Sequence, residues 1–422
     1  MKRKRLFILI IVILVILIYQ IPSQPNDFSK NYPYDNIVSN SLKEFRSRPT
    51  SVLEVDGTKW VYYFGGKGDK VILFLHGMGG AYDIWWQQIN AFENQYKVLS
   101  YTLPEDINNL QDVVKGIQAI LKKEQINKIN IVGTSMGGYI AQYMVKTMPE
   151  KIEKAVFSNT FPPNDLQSEK NKTKEILVRL LPEILINQLA KKSLKEKIFP
   201  AAENDTLLTA FLPSLPFSKK GFIGRYEIVI DKFTINPETY KIKKIPKLII
   251  ESDNDPLVEE ELRTELKNLY KDATVYTFHN KGHFPYINDS EKYNEILIRF
   301  FSQADNKDVI ERLITQYYFE GRKKANIALL KHVFANNAKL YTRKEHQILE
   351  IPFEDYLKVV KQDGPKEINT QILSMDVKKD IAYCKTKFDD ADASYIDYLT
   401  LIKTSDTEPN WKIVTKTFTK TK

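Results

Sequence analysis

The sequence has 422 residues and a single cysteine, Cys384. No intrachain disulfide can form, and zinc ribbons or other Cys-rich clusters are excluded. Histidine is scarce too. His76, His279, His283, His332 and His346 are the whole supply, so any imidazole chemistry draws on a short roster. Glycine numbers only 16, and where glycines cluster a backbone constraint is expected. Internal repeats are missing, which excludes solenoids and propellers. What is present is a globular composition, 43% hydrophobic and 27% charged, long enough for two or three folding units. The net charge of +9 suggests a nucleic-acid partner until it is located. Lys2, Arg3, Lys4 and Arg5 supply four of those charges. Most of the remainder falls on residues 166–244 and a little on 305–422, so no nucleic acid is expected as partner.

The one long apolar run follows the basic start and covers residues 6–21. A charged beginning before such a run reads as an export signal with its basic end held in the cytoplasm. The following Ile18-Tyr-Gln-Ile-Pro-Ser-Gln-Pro25 lacks the small-residue spacing of a cleavage site, and no cysteine is placed for lipidation. The expectation is a single-pass transmembrane helix left in place, with the bulk of the chain outside the cytoplasm; secretion after cleavage is the alternative. At about 1.5 Å per residue the run spans roughly 24 Å, short for a bilayer unless flanking Lys and Arg snorkel. Residues 1–27 are accordingly read as anchor and tether.

From Ser51 to Phe301 short apolar runs alternate with amphipathic stretches. The runs begin at Val71, Val98, Ile129, Ala155, Lys247 and Thr274. Strands alternating with helices predict an α/β fold with a mostly parallel sheet covered on both faces. One interruption, about 162–244, has helical periodicity and is expected as a cap between two core strands. A polar break at 303–308 marks a boundary, giving units 28–303 and 305–422. In the second unit, two or three helices over 309–361 precede four strand-like segments, an α+β pattern.

Gly133-Thr134-Ser135-Met136-Gly137 is a G-x-S-x-G elbow between a strand and a helix. The serine must sit on a strained turn, and side chains at Gly133 or Gly137 would collide across it. His76-Gly77-Met78-Gly79-Gly80 ends the strand that starts at Val71. Its backbone N–H groups, with that at the elbow, suit an oxyanion hole at Met78 and Met136. His76 itself fits a loop-shaping role without proton transfer. A serine needs a base. His283, in Gly282-His283-Phe284-Pro285, follows the last core strand and is preferred to His279, at that strand's end. The acid belongs after the preceding strand, where Glu251-Ser252-Asp253-Asn254-Asp255-Pro256 favours Asp255 over Asp253 and Glu251. His76, Gly77, Trp85 and Phe284 are the candidate pocket residues, with apolar stretches 181–189 and 207–217 of the cap. No metal or cofactor is called for.

With these four motifs in order, residues 51–302 resemble the α/β-hydrolase superfamily. Seven of the 16 glycines fall within them. The resemblance implies a serine hydrolase acting on an ester or thioester of a small-molecule or lipid-like substrate. Two departures narrow it. Thr102-Leu-Pro-Glu-Asp106 replaces the Pro-Gly-x-Gly-x-Ser loop of small-ester and C–C-bond relatives, and Ser135 replaces the Asp of dehalogenases and epoxide hydrolases. Ala155-Val-Phe-Ser-Asn-Thr-Phe-Pro-Pro-Asn-Asp165, with Leu180-Leu-Pro-Glu-Ile-Leu185, resembles the maspardin branch, which implies a non-catalytic binding or scaffold protein as the alternative.

Tyr395-Ile-Asp-Tyr-Leu-Thr-Leu401 and Trp411-Lys-Ile-Val414 alternate as sheet strands do. With residues 314–326 and 332–340, they resemble the lumazine-binding-like, SnoaL-like branch of the nuclear-transport-factor-like fold over 307–422. That resemblance implies a cone with an apolar cavity, homodimerisation, and a further alternative in which this unit is the active or ligand-binding one. Its polar residues Tyr317, His332 and Asp397 form no acid–base set readable from spacing. Cys384 is expected as a buried strand residue.

Overall fold

The computed structural model describes residues 7, 17, 19–32, 37–164, 178–302, 306–378, 380–391, 393–404 and 411–421. The expected anchor at 6–21 lies almost wholly outside the described residues; among those described, no helix is long and apolar enough to cross a membrane. The chain divides into two compact units, Met1–Phe300 and Phe301–Lys422.

The first unit is built on strands β1 (Ser51–Val55), β2 (Thr58–Gly66), β3 (Val71–Leu75), β4 (Lys97–Thr102), β5 (Ile129–Thr134), β6 (Ile152–Ser158), β7 (Lys247–Ser252) and β8 (Thr274–Phe278). They lie in the order β1-β2-β4-β3-β5-β6-β7-β8. β1 and β2 run antiparallel; β4 through β8 are parallel. β3, β5 and β7 are buried along their whole length. This explains their unbroken apolar reading: strands covered on both faces show no alternation. The helices Leu110–Lys123 and Met136–Thr147 pack Val113, Ile117, Ile140 and Met144 into the same core as Trp60, Leu73 and Ile131.

The cap expected at 162–244 stands between β6 and β7. Its described part consists of short helices, the longest being Glu183–Ser193 and Lys219–Ile230. The end of the expected tether is docked on it from Ser23, and so is Phe28 just beyond it. Ser23 donates from its backbone N and its Oγ to Glu183 Oε1 at 3.0 and 2.9 Å. The Asn26 amide donates to Pro213 O at 2.9 Å, and the Phe28 ring meets Phe211 edge-on.

The second unit has strands β9 (Phe334–Lys344), β10 (Gln347–Pro352), β11 (Asn369–Lys378), β12 (Ile381–Asp389), β13 (Ser394–Lys403) and β14 (Trp411–Thr421), ordered β10-β9-β14-β13-β12-β11. All pairs are antiparallel except β14 with β9. β9 and β10 were not foreseen. β10 is exposed or half-buried throughout, so its apolar Ile348, Leu349 and Ile351 do not alternate between a covered and an open face. Helices at 306–333 and Phe353–Asp363 bury Ile310, Leu330 and Leu357 against Leu399 and Trp411, and Cys384 lies fully buried among them.

Candidate active site

Ser135 ends β5 and begins the helix Met136–Thr147, with φ 54° and ψ −122°. That is a strained conformation for a residue with a side chain, of the kind kept at active sites. The surroundings fix it: the Ser135 amide donates to Ser158 O at 3.0 Å, and Thr160 Oγ1 donates to Ser135 O at 2.7 Å. A Cβ on Gly133 would stand 2.2 Å from Gly137 O, and one on Gly137 would stand 2.1 Å from Leu75 O. Both glycines are therefore required by close approach of the backbone. Met136 opens the helix, so its N–H has no intrahelical partner and points where an anion is favoured.

His283 and Asp255 meet as a buried pair. His283 Nδ1 lies 2.9 Å from Asp255 Oδ1 and 2.8 Å from Oδ2, with the side chains 3% and 0% exposed. The carboxylate also accepts from Leu257 N at 2.9 Å, Val258 N at 3.2 Å and Asn159 Nδ2 at 3.0 Å. Burial pushes the Asp255 pKa up, but His283 and these donors outweigh it and hold the acid below its ordinary range. With Nδ1 committed to Asp255, the opposite nitrogen, Nε2, is the one available for proton transfer.

The alternatives considered from sequence pair with each other. His279 Nδ1 lies 2.7 Å from Asp253 Oδ2, with the side chains 77% and 43% exposed. That pair does not border the cavity that holds Ser135. Glu251 is taken by Lys267 at 2.7 Å.

Ser135 and His283 open into one cavity of about 800 Å³, roofed by the cap. Gly77, Met78 and Phe284 line it, and so do Leu212, Leu215 and Phe217 from the cap. His76 and Trp85 do not border it. Trp85 is fully buried and stacks on Tyr286 at 4.4 Å between centroids. His76 is buried below the loop: Leu103 N donates to its Nε2 at 3.0 Å, so Nδ1 carries the proton shared with Gly77 O at 2.7 Å. Burial first, then the Arg225 charge, lower its pKa to about 3. It is a neutral brace for the His76–Gly80 loop.

Two residues that sequence reasoning passed over matter here. Asn159, at φ 42° after β6, holds Asp255 and reaches Gly282 O at 3.4 Å. Arg225, in the cap, lines the cavity and donates from Nη1 to Met78 O at 2.5 Å. A lone Asn after a strand and a lone Arg in a net-basic insertion carry no signature. In the second unit, Asp397 is buried with Lys416 Nζ at 2.9 Å and Tyr318 OH at 2.5 Å, whereas Tyr317 stacks on His332 at 4.3 Å. Among the described residues no cluster suited to a metal ion occurs.

Residues 70–290 match the family model for the alpha/beta hydrolase fold, and the chain belongs to that family. Residues 305–419 match a second family model, described as "Putative lumazine-binding". Among individual proteins, the chain is similar to (E)-2-((N-methylformamido)methylene)succinate hydrolase of Acinetobacter baylyi, 19% identical over 59% of this chain and 96% of that protein. It is also similar to maspardin of Danio rerio, 24% identical over 57% of this chain and 77% of that protein. The fold resembles the crystal structure of the enol-lactonase from Burkholderia xenovorans LB400, with a TM-score of 0.53 and 17% identity over 60% of this chain and all of that one.

Proposed function

We propose that this protein is an exported, membrane-anchored serine hydrolase that cleaves a carboxylic ester or thioester. The observation that carries the reading is the buried His283–Asp255 pair opening, with the strained Ser135, into one cap-covered cavity. His283 Nε2 takes the Ser135 hydroxyl proton as Oγ attacks the substrate carbonyl carbon. The N–H groups of Met78 and Met136 stabilise the oxyanion. Its collapse breaks the bond to the alcohol or thiol, which leaves with the proton from His283. A water then gives a proton to His283 and attacks the acyl-Ser135 ester, releasing the acid and regenerating the serine. Asp255 holds the imidazole in the required tautomer and stabilises the imidazolium. The hydrolases among the relatives, and an enol-lactonase among the similar folds, favour an ester-like substrate.

Labelling with a fluorophosphonate tests the chemistry. Adduct on Ser135, lost in Ser135→Ala together with turnover of short p-nitrophenyl esters, is the expected result. No adduct at neutral pH would instead favour the binding role suggested by maspardin. Export rests on the basic start and the apolar run at 6–21. Protease added to intact cells should digest both units if they lie outside.

A further inference from the structure

The cations around the cavity differ in their commitments. Lys59 is exposed at the rim, and Lys191 is engaged by Gln24 O at 3.2 Å and Asn26 Oδ1 at 2.7 Å. Arg225 is different. It is half-buried on the helix Lys219–Ile230 and is brought close by two cap glycines. A Cβ on Gly224 would lie 2.8 Å from Ile107 O, and one on Gly221 would lie 3.3 Å from the Glu105 side chain. The guanidinium donates from Nη1 to Met78 O at 2.5 Å and from Nη2, at a long 3.5 Å, to Leu103 O. Its Nε is buried and has no partner. Among the described residues no carboxylate forms an ion pair with it. Glu105 attracts it only through space from an exposed position, and burial lowers its pKa to about 10.

A buried guanidinium whose Nε is unpartnered and whose neighbouring Nη2 makes only a long bond leaves a nearly unused fork. That fork matches the two oxygens of a carboxylate. It stands beside Met78, the residue whose N–H faces the reacting carbonyl. We propose that Arg225 binds a carboxylate on the substrate, so that the substrate class is the half-ester or half-thioester of a dicarboxylic acid. The inference rests on the serine-hydrolase reading of the same cavity. A cation without a counter-charge in the wall of a cap-covered site discriminates against the uncharged ester, which would leave it desolvated and unanswered.

The test measures binding separately from turnover. Monomethyl adipate and dimethyl adipate are titrated calorimetrically into the full chain carrying Ser135→Ala, and into the same chain carrying Arg225→Gln as well. The monoester is expected to bind the first, and its Kd to rise about ten- to hundred-fold in the second, on the scale of a lost charged hydrogen bond. The preference for monoester over diester should collapse. If both ligands weaken equally, Arg225 only props the loop and the inference is overturned; it is overturned also if the monoester does not bind or binds unchanged. Arg225→Lys keeps the charge but not the fork, and serves should the glutamine form fail to fold. It should weaken the monoester several-fold, and unchanged affinity again overturns the inference. Arg225-dependent binding without fluorophosphonate adduct on wild-type Ser135 would remove the hydrolase reading and leave the carboxylate site standing.

Discussion

The side-chain amide of Asn159 donates to the Asp255 carboxylate at 3.0 Å, from a residue held at φ 42° by its place after β6. Three elements therefore converge on the acid: the β6 turn, its own loop after β7, and the His283 loop after β8. Asn159→Ala leaves Oδ2 of Asp255 without this donor and loosens the imidazole's support. kcat/KM on an ester that wild type turns over should fall about tenfold, on the scale of one charged hydrogen bond. Asn159→Asp should fall further, because a second carboxylate beside Asp255 raises the pKa of the pair. Steady-state kinetics with a fluorophosphonate count of competent sites checks both.

The two Asp–His pairs differ in environment rather than in spacing. Asp255→Asn should cut kcat by about 10³- to 10⁴-fold, the scale expected when the imidazole is left in the wrong tautomer. Asp253→Asn, which alters only the exposed contacts to His279 and the Asn280 amide, should change kcat by less than about threefold. Equal losses in the two variants would refute the assignment of the buried pair.

Gly137→Ala places a methyl carbon 2.1 Å from Leu75 O, and backbone atoms at that distance cannot yield without moving β3 or the helix. The variant should be recovered in low yield or melt well below wild type. Any folded fraction should label poorly with fluorophosphonate. Thermal unfolding of purified material is the readout.

His76 links stability to pH. Its pKa of about 3 in the folded protein lies below the ordinary 6.5. Between those values the unfolded chain binds the proton that the native state refuses. Stability is thus full above about pH 6.5 and falls as pH drops toward 3, by at most about 1.4 kcal/mol per pH unit from this group. His76→Gln removes the linkage. Urea unfolding of variant and wild type between pH 7 and 4.5 should show a shallower pH slope for the variant.

In the second unit Lys416 and Asp397 are buried together. Asp397→Asn leaves the ammonium without its counter-charge, at a cost of about 3–5 kcal/mol. Asp397→Leu with Lys416→Met removes both charges and should cost clearly less. Hydrogen exchange of the β13 and β14 amides reports on this unit separately from the other.

The parallel strands of the first unit were legible because doubly covered strands read as bare apolar runs, and Ser135 because an elbow needs glycines at fixed offsets. The histidine followed from chain order. Asp255 was favoured over Asp253 from its place at the turn before Pro256; the different burial of the two Asp–His pairs is visible only in the fold. Trp85 illustrates the opposite limit: a tryptophan beside a catalytic loop is as suited to core as to pocket, and packing against Tyr286 decides it. In the second unit Tyr318, and not its neighbour Tyr317, reaches Asp397. Leu313–Phe319 is π-helical, so the ordinary helical period slips there and a neighbouring tyrosine turns inward. Mostly exposed β10 sets Ile348 beside Leu349 without a two-residue alternation, and so left no strand pattern to read.

The latch between Ser23 and Glu183 bears on how this protein can be trimmed. The sheet begins at Ser51, and a fragment designed around it would look complete by topology. Yet Lys191, in the cavity wall, takes its partners from Gln24 and Asn26, and Pro213 beside it is bonded by Asn26. A fragment starting at Ser51 would keep the reacting groups and lose the shape of the room around them. Its altered selectivity would then be a product of the cut and not of the fold.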